Sequence, residues 1–241
     1  MDDVDDVLKT INFFREMKAI NKEFFCDIQL DESERVKNIF WANASCRGAY
    51  QDFGDFVTFG TTYKTNKYHM ALGVFVGNNN HLQTTFFAFA LIRDENPDSF
   101  MWLFRTFLKC MRGKGPTCIL TDQCPTMALA IPDVFRNTIH KLCHWHIMKK
   151  YKEHLAYLYN LHSTFKGEFT AILNWPLPPT EFEAAWKALM VKYNLHDDAT
   201  MVSLLNELER WVSAYFKENF YAKMTMTRRG ESMNYVLKKN S

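Results

Sequence analysis

The sequence lacks long apolar runs, a strong excess of one charge, and any internal repeat. Its apolar stretches are short and interrupted by charged residues, which predicts no membrane-spanning helix. Met1 is followed by Asp2, Asp3, Asp5 and Asp6, the opposite of the basic start of a secretory signal peptide. The formal net charge of +2 gives no long-range field that could hold a polyanion. Any nucleic-acid contact must therefore come from local basic groups.

Cysteine pairs and glycine-rich motifs are also missing. The six cysteines include no C-x-x-C pair, and several lie in apolar surroundings typical of buried thiols, so we expect a reducing, intracellular compartment. The sequence contains neither a glycine-rich phosphate-binding loop nor a nucleophile elbow. Neither a P-loop nor an α/β-hydrolase nucleophile is therefore predicted.

Aromatic residues are abundant, at 15% with 21 Phe, within a hydrophobic content of 47%. This composition excludes disorder and collagen-like structure. The length of 241 residues predicts one large domain, or one domain with an insertion.

The first half of the sequence predicts mainly strands. After an N-terminal helix, segments 24–30 and 36–41 indicate a hairpin around a polar turn. Segments 53–63, 68–77 and 83–92 have β-type patterns. We expect these three segments to form an antiparallel meander with helices on one face.

Strands and helices then alternate. Residues 96–99 indicate a helix start, and a buried-type strand at 118–121 ends in Asp122. A helix near Pro125 and a short strand at 138–142 follow. This alternation predicts an α/β domain with a mixed sheet.

From residue 143 to about residue 220 the pattern is helical. Residues 180–183 indicate a capping box at a helix start, and residues 201–215 indicate one sustained amphipathic helix. This block is either a second domain or an insertion. A short last helix at 227–239 is expected to return to the sheet.

Asp122 and Glu231 are the carboxylates best suited to chemistry. Asp122 directly follows a buried strand, where a carboxylate can ligate a hard cation, although a strand-end aspartate more often caps the next helix. Glu231, taken alone, is a surface glutamate. Two-metal phosphoryl transfer needs about three carboxylates from different elements, and Asp122 and Glu231 would supply two of them.

Cys143 and His146 are candidate metal ligands within a Cys-His-Trp-His sequence. Tetrahedral zinc needs four ligands from separated pairs, whereas the adjacent Cys143 and His144 point to different helix faces. We therefore favour a core Cys and Trp at a helix start, with one histidine making a hydrogen bond. A nucleophilic thiol is disfavoured because an apolar setting raises the pKa of cysteine.

Lys149, Lys150, Arg228 and Arg229 are candidate DNA contacts. A solvated protein surface explains each of these basic clusters. Phosphate backbones need the same groups, so the basic residues also fit a nucleic-acid interface beside a cleft.

Four motifs occur in a fixed order, at residues 56–68 (FVTFGTTYKTNKY), 119–123 (ILTDQ), 143–147 (CHWHI) and 229–234 (RGESMN). Together they resemble the transposase domain of Mutator-like elements (MULE). More narrowly, they are similar to the plant far-red-impaired-response family of nuclear transcription regulators derived from such transposases. The resemblance covers roughly residues 10–240.

The resemblance implies an α/β, RNase H-like core, with a mixed sheet, flanking helices and an all-α insertion before the last helix. The expected organisation is an N-terminal helix and hairpin at 1–50, the core at 51–160, the insertion at 161–223 and the closing helix at 224–241.

The resemblance also implies an Asp-Asp-Glu triad. Asp122 matches its second position and Glu231 its third, while the first position, an aspartate in the family, is Gly60. Because the first aspartate is shared by both metal ions, glycine there predicts that the metal pair does not assemble. Asp52 and Asp55 are not expected to substitute, since Asp55 lies about 16 Å along a strand from Gly60 and faces the other way.

We therefore expect a catalytically inactive, transposase-derived domain of a nuclear regulator related to far-red light signalling, with no cofactor. It would associate with other family members or transcription regulators, as a homo- or heterodimer, and contact DNA weakly. The alternative is an active DDE-type transposase or nuclease that uses Mg²⁺ or Mn²⁺. A third hypothesis is a dimerising scaffold built on the helices around Trp186 and Trp211. The zinc modules that flank this domain in the family are absent from the sequence, which we interpret as a truncated gene product or an isolated domain.

Overall fold

The computed structural model describes residues 4–62, 66–174 and 177–216. Contacts within the chain divide it into two compact units, separated between His140 and Lys141. We call the described residues up to His140 the sheet unit and those from Lys141 onward the helical unit. The expected borders at residues 50, 160 and 223 stay predictions; the contact pattern places its division near residue 140.

A seven-stranded mixed sheet has the strand order β1-β2-β5-β4-β3-β6-β7. Its strands are β1 Phe25–Leu30, β2 Val36–Ala42, β3 Phe56–Thr61, β4 Ala71–Asn78, β5 Thr84–Ile92, β6 Cys118–Thr121 and β7 Ile139–Leu142. The β1–β2, β2–β5, β4–β5 and β3–β4 pairs are antiparallel, and β6 runs parallel to β3. The α/β class, the hairpin and the meander are thereby confirmed.

The helices of the described residues fall into two groups along the chain. The sheet unit contains α1 Val4–Ile20, α2 Ala44–Phe53, α3 Pro97–Cys110 and α4 Pro125–Val134. The helical unit contains α5 His144–Lys150, α6 Lys152–Leu161, α7 Phe165–Asn174, α8 Pro179–Tyr193, α9 Ala199–Asn206 and α10 Leu208–Trp211, followed by the 3₁₀ turn Ser213–Phe216. Among the described residues, none of these helices is both long and apolar enough to cross a bilayer.

Aromatic side chains fill the space between the sheet and α3. Phe75 of β4 stacks on Phe107 of α3, with ring centroids 4.2 Å apart. Phe59 of β3 lies 4.5 Å from Phe75 and 5.4 Å from Phe104 of α3. Stacked and edge-to-face rings at these separations add to the free energy gained by burying their area. This layer accounts for much of the phenylalanine in the sequence, and it fixes β3 from one side.

The opposite face of the sheet is partly covered by α1. Side chains alternate along a strand, so Ile39 and Trp41 of β2 face away from the Phe40 side chain, which lies in the core with α3. Phe14 of α1 packs in the same cluster as Ile39 and lies 6.3 Å from the Trp41 ring. The sheet is therefore apolar on both faces, as a sheet with helices on both sides requires.

The start of α3 is confirmed at atomic detail. Asn96 precedes the helix, and its side chain accepts a hydrogen bond of 2.9 Å from the Ser99 backbone N–H. Pro97 occupies the first helical position, where its missing N–H is not needed. This helix start positions the loop between β5 and α3, which contributes to the candidate site.

The helical unit has its own apolar core. Trp186 of α8 is 1% exposed and Trp211 of α10 is fully buried. The Trp211 indole N–H donates to the Leu204 carbonyl at 3.2 Å, and the ring lies 5.3 Å from that of His144. Both rings are used inside the unit, so the rings themselves cannot form a dimer surface. A scaffold that dimerises through other faces of the helices around Trp186 and Trp211 stays a prediction.

Two local predictions in the helical unit are wrong. The helix predicted to start with a capping box at 180–183 begins at Pro179, with Pro178 as the residue before it. Proline at the first helical position fixes φ in the helical range and so moves the start upstream. The single helix predicted at 201–215 is divided into α9, α10 and the 3₁₀ turn, and Glu207 separates the first two.

Burial of His144 predicts acid sensitivity of the helical unit. Burial lowers the pKa of His144 from 6.5 to about 4, so the folded state favours the neutral ring. The stabilisation is complete above the unfolded pKa of 6.5 and is lost as the pH falls towards about 4. Preferential protonation of this ring in the unfolded chain should remove about 3 kcal/mol of the free energy of unfolding over this pH range.

Urea unfolding of the native chain and of His144→Gln, at pH values between neutral and acid, measures this contribution. We expect His144→Gln to show the smaller loss of stability on acidification. The exposed His196→Gln is the matched control and should keep the native pH dependence. Equal pH dependence in native and His144→Gln chains would contradict the prediction.

Candidate functional site

Gly60 lies near the end of β3 and pairs with Val74 of β4. Val57 and Phe59 of the same strand are buried towards α3, so Gly60 belongs to the opposite, partly exposed face. A Cβ atom built on Gly60 meets no heavy atom of the described residues within 4 Å. The position therefore has room for the aspartate that the triad requires, yet it supplies no side-chain oxygen.

Asp122 directly follows β6, the strand that pairs in parallel with β3. The pairing matches Thr58 with Leu120. Continued by two residues, this register places Gly60 beside Asp122, on strands about 4.8 Å apart. By this extrapolation, the expected first and second positions of the triad, 62 residues apart in the sequence, lie at the C-terminal ends of two paired strands.

The Asp122 carboxylate takes part in a turn at the start of α4. Its Oδ1 atom accepts a hydrogen bond of 3.1 Å from the backbone N–H of Cys124, the residue that precedes the helix. The preceding Thr121 hydroxyl lies 2.8 Å from His140 Nε2 and 2.8 Å from the Asp122 carbonyl oxygen. The Oδ1 atom of Asp122 therefore acts at the start of the next helix, as the capping interpretation expects. Its Oδ2 atom makes no hydrogen bond in that turn.

Glu95 is a carboxylate at this edge of the sheet that sequence reasoning missed. Its Oε1 atom accepts a hydrogen bond of 2.6 Å from the hydroxyl of Thr61, the neighbour of Gly60. Its backbone carbonyl accepts a hydrogen bond of 3.1 Å from Thr126 of α4. The Thr126 hydroxyl lies 3.0 Å from Cys124 Sγ, so hydrogen bonds connect the Glu95 loop to the turn that holds Asp122.

The direction of the strands explains why Glu95 lies here. Both β3 and β5 are antiparallel to β4, so they run in the same direction, and β6 is parallel to β3. The C-terminal ends of β3, β5 and β6 therefore meet at one edge of the sheet. The position of Glu95 could have been predicted from the meander. Its first and third strands run in the same direction, so the loop after the third strand lies at the edge where the first strand ends.

The other nearby acidic residues lie elsewhere. Asp52 belongs to α2, and Asp55 precedes β3, at the opposite end of that strand from Gly60. The Asp55 side chain is exposed and lies 3.7 Å from Lys114 Nζ. Neither carboxylate replaces the missing first position, in agreement with the sequence analysis.

Several predicted site residues lie outside the described part of the chain. These are Glu231, Arg228 and Arg229, together with the predicted closing helix. The structure therefore leaves the third triad position and half of the predicted DNA contacts as predictions.

Cys143 and His146 lie at the start of α5. Cys143 is the residue before the helix, and His146 is exposed. The described residues contain no group of three or more His, Cys, Asp or Glu side chains that could hold a metal ion. The expected core position of Trp145 is wrong: Ile147 is the buried residue of this turn, and Trp145 is partly exposed. Lys149 and Lys150 are exposed at the end of the helix.

The described residues do not fit the two-metal site of a DDE enzyme. That site needs a carboxylate shared by both ions at the position of Gly60. Glycine at that position supplies no bridging oxygen, and we derive no catalytic step through metal ions.

Comparison with known proteins shows what the chain is similar to. Residues 56–150, less than half of the chain, match the family model described as the MULE transposase domain. The chain is 36% identical to the protein FAR1-RELATED SEQUENCE 5 of Arabidopsis thaliana over 224 residues, or 93% of this chain and 28% of that protein. It is 32% identical to the protein FAR-RED IMPAIRED RESPONSE 1 of the same plant, over 93% of this chain and 27% of that protein.

The MULE match begins at the first residue of β3 and ends at the last residue of α5. It therefore includes Gly60, Asp122 and the Cys-His-Trp-His sequence that begins at Cys143. The chain spans little more than a quarter of the length of the two Arabidopsis relatives. The family resemblance inferred from the motifs is confirmed.

The space around Gly60 predicts that a small side chain is tolerated there. Gly60→Ala should change the free energy of unfolding by no more than about 1 kcal/mol, because the new methyl group meets open space and glycine carries an entropic cost in strands. Gly77→Ala on β4 is the matched control. There the new Cβ would lie 2.5 Å from the Phe87 ring and 3.0 Å from the Phe56 carbonyl oxygen.

Overpacking of this kind costs about 1–3 kcal/mol, so Gly77→Ala should be clearly the less stable variant. Thermal and urea unfolding of both variants measure the difference. A Gly60→Ala protein as destabilised as Gly77→Ala would contradict the structure of β3.

Proposed function

We propose that this chain is a catalytically inactive, transposase-derived MULE domain of a plant nuclear regulator related to far-red light signalling. It acts by association with other family members or transcription regulators, and it makes weak contacts with DNA. The similarity to FAR1-RELATED SEQUENCE 5 and FAR-RED IMPAIRED RESPONSE 1 supports a role of this kind.

The observation that carries the proposed inactivity is Gly60. The β3–β6 register, continued by two residues, pairs it with Asp122, and the family resemblance assigns position 60 to the metal ligand that a DDE enzyme shares between two ions. Glycine has no oxygen to bridge two cations, and the space beside it is open. Asp122 can bind a single hydrated cation weakly, since Mg²⁺ usually keeps several of its waters, but a single ion does not clamp both sides of a scissile phosphate.

A plasmid-nicking assay tests this proposal. In Mg²⁺ or Mn²⁺, we expect the native chain to leave supercoiled plasmid intact and to be indistinguishable from Asp122→Ala. Gly60→Asp should bind Mn²⁺ more tightly than the native chain, because a second carboxylate then stands beside Asp122. Titration with Mn²⁺ followed by electron paramagnetic resonance measures the affinity. Mn²⁺-dependent nicking by the native chain that disappears in Asp122→Ala would overturn the proposed inactivity.

The active enzyme is retained as a second candidate because of Glu95. This carboxylate is hydrogen-bonded to Thr61, next to Gly60, and its loop is connected to the Asp122 turn. If Glu95 replaces the missing ligand, then Glu95→Gln abolishes metal-dependent nicking and Gly60→Asp changes it little. The exposed Asp94→Asn, one residue earlier in the same loop, is the matched control and should leave nicking unchanged.

A further inference from the structure

The outward face of α5 combines aromatic and basic side chains. Ile147 is fully buried in the core of the helical unit, and Met148 packs against the same core. Residues four positions apart lie on one side of a helix, so Trp145 and Lys149 form one row on the opposite face. Lys149 Nζ lies 4.7 Å from the centre of the Trp145 ring. Lys150 is exposed in the neighbouring row.

The charged residues of this segment are all basic. Within the helical unit, residues 141–152 contain four Lys and two His but no Asp or Glu, in a chain whose net charge is only +2. Two other cationic groups of the helical unit are paired with carboxylates, Lys192 with Glu168 at 2.6 Å and Arg210 with Glu207 at 3.6 Å. Within the described residues, Lys149 and Lys150 contact aromatic rings and form no ion pair with a carboxylate.

An aromatic ring beside unpaired ammonium groups matches the chemistry of an unpaired nucleotide. The ammonium groups complement phosphate, and the ring offers a surface on which a base can stack. A duplex can use only the contacts between ammonium groups and phosphates, because its bases are already stacked and paired. An acidic peptide likewise needs the charges but not the ring.

We infer that the outward face of α5, formed by Trp145, Lys149 and Lys150, binds single-stranded nucleic acid, with Trp145 stacking on a base and the lysines contacting phosphates. This inference rests on the proposed DNA contact and makes it specific. It assigns a binding role to Trp145, and it predicts a preference for unpaired over duplex DNA.

Fluorescence anisotropy with a labelled oligothymidylate and with a duplex of equal length tests the inference on the whole chain. We expect Trp145→Ala to weaken single-strand binding about fivefold or more and to leave duplex binding nearly unchanged. Trp145→Phe, which keeps a ring, should retain most of the affinity. The double variant Lys149→Gln/Lys150→Gln should weaken both complexes and reduce the salt dependence of single-strand binding by a slope of about 1.4.

Two matched controls come from the same unit. Tyr157 is an exposed aromatic residue of α6, and Lys187 is an exposed lysine of α8. Tyr157→Ala and Lys187→Gln should bind both DNAs as the native chain does. Circular dichroism of each variant verifies folding, and Trp145→Phe keeps the test valid if the alanine variant unfolds.

The outcomes separate this inference from the proposed function. Equal binding of both DNAs, weakened by the lysine variant but not by Trp145→Ala, would overturn the stacking role while leaving a DNA contact. No binding of either DNA would overturn both the inference and the DNA contact, and leave only protein association. Displacement of the oligothymidylate by polyglutamate at equal charge concentration would identify an acidic protein as the better occupant and also overturn the inference.

Discussion

The parallel pairing of β3 with β6 is the contact on which the candidate site depends. It matches only three residue pairs, yet its continuation aligns Gly60 with Asp122. The pairing is held from one side by the aromatic layer, in which Phe59 touches Phe75 and Phe104. With a different register, Gly60 and Asp122 would not be aligned on neighbouring strands.

The same strand directions give the site edge a polar network that does not need the missing aspartate. Thr61, Glu95 and Thr126 connect three segments through hydrogen bonds, and the turn at Asp122 is closed by a backbone N–H. Each of these contacts satisfies a polar group locally. The described part of this edge therefore holds its polar groups in hydrogen bonds without any side chain at position 60.

The fold was predictable from the sequence where local signals and long-range pairing agree. Alternating apolar residues gave the hairpin and the meander, and Asn96 with Pro97 marked the start of α3. Prediction failed where tertiary context decided the outcome. Pro179 began α8 upstream of the predicted capping box, and the break at Glu207 divided a helix whose apolar spacing looked continuous.

Prediction of the site had a similar limit. Asp122 and Gly60 could be recognised because they lie in motifs, and the β3–β6 register, continued by two residues, aligns them. Glu95 lies in no motif and is found only from the direction of the strands. The Cys-His-Trp-His sequence suggested a buried Trp145, but the sequence does not determine which side of so short a helix faces the core. In the structure, Ile147 and Met148 take that side.

The empty space beside Gly60 has a consequence for how this domain changes over generations. A single base change in a glycine codon can produce aspartate, and a Cβ atom at this position meets no heavy atom of the described residues within 4 Å. Packing around the Cβ atom therefore does not oppose such a change. What opposes or favours it is the second carboxylate near Asp122, which costs stability through charge repulsion when no cation is bound and attracts a cation when one is present.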